Sequence, residues 1–259
     1  MSDLPGELTD AVIDFLQEDR ATLRTCHFTC RSFRRRARFH LFRKISLNNS
    51  NAKGFIQHCH DVPELPGLVR ALRFWEIDYS PSNRKPDASF QAVLKELGSS
   101  CASITTLAID KTFIDQDLAT TISQYLPSLN NLRIVNCGFQ SLHVLLNLLS
   151  HLPTLSSLKL NNLTLPHHST FPVSVTNGES PFCPFLQTLS LSGSEVVAPV
   201  ILKKLIAGGL AKQITKFRFP DIGFHDMVSV QLFIDAAGNG LQDIYLGCDD
   251  NVNSTAEGQ

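Results

Sequence analysis

Three groupings of cysteine and histidine have the residue types to hold a metal: Cys26-x-x-x-Cys30 with His27, the trio His58-Cys59-His60, and the pair His167-His168. Thiolate and imidazole close a tetrahedral zinc site when a second ligand pair follows at a suitable interval, and none of the three has one. Serine, histidine and aspartate all occur, yet there is no Gly-x-Ser-x-Gly elbow or comparable nucleophile setting, and Cys101 sits just ahead of a strand-like segment. Gly208-Gly209 ends a helix-period stretch, where glycine serves as a terminator, and is not part of a phosphate-cradling loop. The sequence therefore predicts no enzyme, no cofactor and no resident metal. What remains is charge and apolar contact, the chemistry of recognition. Arg34-Arg35-Arg36 is the densest basic run, but residues 1–50 carry nine basic and six acidic side chains, so the run reads as a solvated helix face and no nucleic-acid partner is expected.

The elements that position such residues must come from an ordinary soluble mixture. The chain has 259 residues, 23 basic and 24 acidic side chains, 43% apolar and 18% charged residues, which excludes disorder as the main state and supplies a sizeable core. No apolar run approaches the roughly 20 residues of a bilayer-crossing helix, and Met1 to Leu8 lacks the basic and apolar stretches of a secretory signal. Seven scattered cysteines, an odd number, read as reduced and mostly buried. A cytoplasmic or nuclear protein with no membrane partner is expected.

A repeat organises most of the chain. The pattern apolar-x-x-apolar-x-apolar occurs at Phe42/Ile45/Leu47, Val69/Leu72/Phe74, Ile104/Leu107/Ile109, Leu129/Leu132/Ile134, Leu155/Leu158/Leu160, Leu186/Leu189/Leu191, Ile214/Phe217/Phe219 and Leu241/Ile244/Leu246. Successive first positions lie 27, 35, 25, 26, 31, 28 and 27 residues apart. Ten residues after the first position an apolar residue returns at Tyr79, Ile114, Phe139, Leu165, Val196 and Phe224. Between these strand-like segments lie helix-period ones: Phe90/Val93/Leu94/Leu97, Leu118/Ile122/Leu126, Leu142/Leu145/Leu146/Leu149 and Val200/Leu202/Leu205/Ile206. One strand-helix unit cannot bury both its apolar faces, so neighbours must stack. The stretches Asp78 to Asp87 and Pro166 to Pro184, rich in Pro, Ser and Asn, read as loops and account for the two long steps. This pattern resembles the leucine-rich-repeat family across residues 42 to 250. It departs from that family eight residues after the first position, where Asn or Cys is usual: only Cys137 fits, and Ile77, Thr112, Leu163 and Ile222 stand at four of the others.

Ahead of the repeats, Leu4-Pro5-Gly6-Glu7-Leu8 is a sound helix start, and Leu8, Val12, Phe15 and Leu16 make one apolar face. A second stretch places Leu23, Cys26, Cys30, Phe33 and Ala37 at steps of three and four. Two short amphipathic elements are expected, with Ile13, Phe15 and Phe28 left beside the main stripes for a partner's groove or for the end of the repeats to cover. About 40 residues cannot form a stable unit unaided.

Leu4-Pro-x-Glu-Leu8, Ile13-x-x-Leu16, Leu23-Arg-x-Cys26, Cys30-Arg-Ser-Phe33 and Phe42 resemble an F-box over residues 3 to 45, and the order of F-box first and repeats after it resembles the divergent F-box proteins of fungi. Phe33 stands where many F-boxes have Trp, and Thr29 where they have Val. The resemblance implies an α/β chain with a helical F-box over 1–45, an irregular leucine-rich-repeat solenoid over 46–250 with a curved parallel sheet inside and helices outside, and a tail over 251–259. It further implies a substrate receptor that docks on a Skp-type adaptor, and through it a cullin-RING ubiquitin ligase. The adaptor contact or its support would then fall on Leu4, Pro5, Leu8, Ile13, Leu16, Leu23, Cys26 and Cys30. The alternative is a repeat scaffold that recruits no ligase.

In such repeats the column four residues after the first position faces the concave side. It reads Ser46, Arg73, Ala108, Arg133, Lys159, Ser190, Arg218 and Tyr245, with Trp75 in the next column. Half of these eight are basic, so an acidic or phosphorylated segment of an unknown target protein is expected to meet Arg73, Arg133, Lys159 and Arg218, with Trp75 and Tyr245 beside them.

Overall fold

The computed structural model describes residues 5–80, 88–166, 182–193 and 196–248. Three helices come first: α1 (Gly6–Phe15), α2 (Arg20–Thr29) and α3 (Arg31–Arg43). Strand and helix then alternate through β1 (Lys44–Asn48), α4 (Ala52–Asp61), β2 (Ala71–Trp75), α5 (Ala88–Leu97), β3 (Thr106–Asp110), β4 (Phe113–Ile114), α6 (Gln116–Tyr125), β5 (Asn131–Val135), β6 (Gly138–Phe139) and α7 (Leu142–Ser150). The chain continues through β7 (Ser157–Asn161), β8 (Thr188–Ser192), α8 (Val197–Ala207), β9 (Lys216–Ile222), α9 (Phe224–Ala237) and β10 (Asp243–Cys248).

Eight of these strands form one sheet in the order β1-β2-β3-β5-β7-β8-β9-β10, every pairing parallel, and the short β4 and β6 form a parallel pair of their own. The molecule is thus mixed α/β, built on an open parallel sheet that follows chain order and does not close into a barrel. Parallel neighbours need crossover connections. Among the described residues a helix fills six of the seven connections within the sheet.

The register explains the periodic apolar positions. Ile45, Leu72, Leu107, Leu132, Leu158, Leu189 and Phe217 are partners along one line across the sheet, and Leu47, Phe74, Ile109, Ile134 and Leu160 along a second. Nearly all are below 5% exposed and belong to one core with the inward faces of α5 to α9. Phe74 stacks on Phe90 of α5 at 4.5 Å, and Phe217 meets Phe233 of α9 at 4.8 Å. Each such side chain contributes roughly 1.5–3 kcal/mol of burial, which is why a strict apolar period persists over so many units.

The sheet strands β3, β5, β7 and β8 end in the same way. Lys111, Asn136, Asn162 and Gly193, each one residue past β3, β5, β7 and β8, have φ of 52°, 53°, 50° and 58°. This left-handed turn is cheap for Asn and Gly and strained for Lys. Cys137 is buried, donates from Sγ to the Val135 carbonyl at 3.1 Å, and burial pushes its thiol up to about 12. Thr112 does the same work one unit earlier, donating to the Asp110 carbonyl at 3.2 Å. Ile114 and Phe139 turn into the core as expected, Tyr79 and Leu165 are half-buried, and Val196 departs from the pattern by standing 56% exposed; the Phe224 side chain lies outside the described ones. The loop segments expected at 78–87 and 166–184 and the tail at 251–259 fall largely outside the described residues.

The amino-terminal helices form a second, separate core of Ile13, Leu23, Ala37 and Leu41, with Leu16, Cys26, Phe33 and Phe42 packed on it. Two sequence expectations are corrected here. The stretch from Leu23 to Ala37 is not one helix, because Cys30 adopts φ −151°, ψ 164° and separates α2 from α3. Nor is Ile13 left over beside the stripe: Thr9 and Ile13 face inward and Ile13 is fully buried, while Leu8, Val12 and Phe15 stand exposed. Two contacts favour this rotation of α1: Ile13 packs with Leu23, Ala37 and Leu41, and the Asp14 carboxylate is held by Arg36 Nη2 at 2.6 Å and lies 2.6 Å from His40 Nε2, both on α3.

Candidate functional site

Two surfaces carry the residues singled out by sequence. The first belongs to α1 and α2. Leu8, Val12 and Phe15 are 54%, 53% and 90% exposed, and with Ala11 and Leu16 they line an open apolar groove. Phe28, at the far end of α2, is 79% exposed. Spacing of i, i+4 and i+7 places Leu8, Val12 and Phe15 on one stripe. Of the other residues expected at this surface, Pro5 is exposed, Leu16, Cys26 and Cys30 are half-buried, Ile13 and Leu23 are fully buried supports, and Leu4 lies outside the described residues. Val12 shares the apolar face expected with Leu8 and Phe15, and whether that face turns outward could not be read from spacing alone.

Helix capping, hydrogen bonds and ion pairs hold this unit together and join it to β1 and to the segment ahead of β2. The Asp19 carboxylate accepts from the backbone N–H of Ala21 and Thr22 at 3.1 and 3.0 Å, capping α2. Arg20 donates to the Lys44 and Leu41 carbonyls, Lys44 pairs with Glu18 at 2.9 Å, and Arg38 pairs with Glu64 at 2.8 Å. Hydrogen bonds from Arg36 and His40 hold the Asp14 carboxyl at about 2, below its usual 3.8.

The second surface is the face of the sheet turned away from the helices. Ser46, Arg73, Ala108, Arg133, Lys159, Ser190, Arg218 and Tyr245 are partners in one line across all eight strands, so the expected column is a physical row. Its basic members differ. Arg73 donates to Asp110 at 3.2 Å and lies 5.4 Å above the Trp75 ring, and Arg218 donates to Asp243 at 3.2 Å. Arg133 and Lys159, direct cross-strand neighbours, form no ion pair among the described residues. Beside this row runs a polar chain that sequence reasoning missed: Asn162 Nδ2 donates to Asn136 Oδ1 at 3.1 Å, and Asn136 Nδ2 to Asp110 Oδ1 at 3.2 Å. Asparagine at the two left-handed positions was the available signal. Tyr245 is 56% exposed at the end of the row.

The cysteine and histidine groupings do not converge. Cys59 is buried with its thiol raised to about 11 by that burial, His60 Nε2 lies 3.1 Å from Glu96, and no cluster of three potential metal ligands occurs among the described residues. Cys26, Cys30, Cys59, Cys137 and Cys183 are free thiols; His167 and His168 and the side chains of Cys101 and Cys248 lie outside what is described. No described helix is long and apolar enough to cross a membrane.

Comparison with known proteins adds no identity: no protein-family model matches the chain, and no curated protein matches it significantly.

Proposed function

We propose that the chain is a non-catalytic receptor of F-box and leucine-rich-repeat type: α1 to α3 dock on a Skp-type adaptor of a cullin-RING ubiquitin ligase, and the repeats hold a target protein. The observation that carries this reading is the exposed stripe of Leu8, Val12 and Phe15 on α1, together with the separately exposed Phe28 on α2, on a helical unit whose own core is four residues. Apolar surface of this kind on so small a unit is stabilised when another protein covers it. The parallel strand-helix repetition in chain order supports a solenoid, whose polar sheet face offers the target site. Such a receptor raises rate by proximity, bringing target and conjugating enzyme to an effective concentration in roughly the millimolar range.

Capture by a purified Skp-type adaptor tests the reading. Wild-type chain is retained on immobilised adaptor, and Leu8→Ala with Phe15→Ala abolishes retention while leaving the melting temperature unchanged, since neither side chain packs in the core. Failure of the wild-type chain to bind, or equal binding by the variant, removes the ligase assignment and leaves a repeat scaffold whose helices only cap the sheet.

A further inference from the structure

We infer that the target segment held on the sheet face is an extended acidic stretch of protein, anchored on Arg133 and Lys159. The inference rests on the reading of that face as the target site. The rows facing away from the helices hold six basic side chains, Lys44, Arg73, Arg133, Lys159, Lys216 and Arg218, against Asp110 and Asp243, with Glu18 paired to Lys44 and Asp221 accepting from Ser192 at their margin, on a chain whose net charge is −1. Charge is therefore segregated onto this face.

Within it, pairing is uneven. Arg73 and Arg218 are each neutralised by a carboxylate of the neighbouring strand, Asp110 and Asp243. Arg133 and Lys159 stand side by side in register, two like charges directly opposite each other, and among the described residues no carboxylate pairs with either. Like charges at that position destabilise a sheet, and the fold gains nothing visible in return. An anion bound between them relieves the repulsion and makes charge-assisted hydrogen bonds to both.

Spacing gives the shape of the ligand. Strands lie about 4.8 Å apart, so Arg73 to Arg133 and Lys159 to Arg218 are each about 10 Å, two strands apart, and the four cations span about 24 Å. An extended chain advances roughly 3.3–3.6 Å per residue. A segment of about seven residues with acidic groups about every third position, lying across the strands, matches that row. Trp75 at one end and Tyr245 at the other add flat contact surface.

The test is fluorescence anisotropy on the full chain with a labelled nonapeptide carrying Glu at every third position between Gly and Ser. Parallel probes are the same peptide with a central phosphoserine, a Lys-for-Glu version, and single-stranded oligothymidylate. The acidic peptides bind saturably and the Lys version does not. Arg133→Glu with Lys159→Glu weakens binding at least about ten-fold, and Lys95→Glu with Lys203→Glu, on the helical side, changes it less than about two-fold. Arg133→Gln with Lys159→Gln loses affinity while keeping or raising the melting temperature, which separates a binding role from a structural one. Tighter binding of the phosphoserine peptide assigns phosphate to the pair, tighter binding of the glutamate peptide assigns carboxylate, and either result supports the inference. Indifference to peptide charge, retention of affinity in the reversed variant, an equal loss in the helical-side control, or stronger binding of oligothymidylate overturns it. Adaptor capture by the same preparations is read independently: its loss with peptide binding intact sinks the ligase reading alone.

Discussion

Lys111 is the one residue among the four left-handed strand ends that is neither Asn nor Gly, with φ 52° and its side chain in solvent. Its backbone N–H donates to the Val135 carbonyl and its carbonyl accepts from Glu76, contacts a glycine keeps. Lys111→Gly is therefore expected to stabilise the chain by roughly 0.5–1 kcal/mol, the strain relieved exceeding the entropy that glycine adds to the unfolded state, as a chemical-denaturation midpoint will show. Gly193 gives the opposite result, because φ is 58° and an added methyl would strike Asn162 Oδ1; Gly193→Ala should lower the midpoint. At Asp14 the sign follows from a folded pKa of about 2 against 3.8 unfolded: the stability is fully present above about pH 4 and is lost as pH falls toward 2. The Asp14 side chain is 41% exposed, so solvent screening limits the contribution to about 1 kcal/mol. Asp14→Asn should cost that amount at neutral pH and flatten the acid limb of the stability curve, and an unchanged limb would place its origin at another carboxylate.

At the scale of elements, legibility tracked how many faces an element buries. The central strands and α5, α6 and α7 were plain in sequence because one apolar row or stripe goes to one core. Two helices were not. α4 carries Gly54 and the polar run around His58, and α9 is apolar almost all round, burying Val230 and Phe233 while exposing Met227, Val228 and Leu232, so neither shows a clean period. The break at Cys30 was hidden because Leu23, Cys26, Phe33 and Ala37 keep helical spacing on both sides of it. α1 has two stripes at helical spacing, and contacts with distant residues decide which one turns inward: Ile13 packs with Leu23, Ala37 and Leu41, and Asp14 meets Arg36 and His40, 22 and 26 residues away. Hence the residues proposed for docking were partly legible: Leu8 stood on the expected list and is exposed, whereas Ile13 and Leu23 lie buried beneath that surface. A pair of substitutions separates the two roles. Ile13→Ala removes a fully buried side chain and should destabilise the helical unit by roughly 2–4 kcal/mol, with loss of helical signal from α1. Phe15→Ala, at 90% exposure, should leave stability within about 0.5 kcal/mol. If both melt alike, the exposed stripe is packed in solution.

At the scale of the molecule the two cores are distinct, and among the described partly buried apolar residues only Phe42 packs against both. A parallel sheet laid down in chain order is held by contacts between neighbours, so it opens from its ends rather than all at once. The β10 end is the weaker one: Ile244 and Leu246, in register with the fully buried Phe217 and Phe219, are 46% and 44% exposed. The β1 end instead carries α3, tied down by Arg20, Arg38 and Phe42. Amide hydrogen exchange should therefore be fastest in β10 and α9, slowest in β3, β5 and β7, and intermediate in β1. Phe42→Ala should uncouple the halves, so that α1 to α3 exchange as a separate unit well below the global stability while the centre of the sheet keeps its protection. Uniform exchange across all eight strands, or a Phe42→Ala chain that still unfolds in one transition, would mean that the helical unit and the sheet share a cooperative core through contacts other than this one ring.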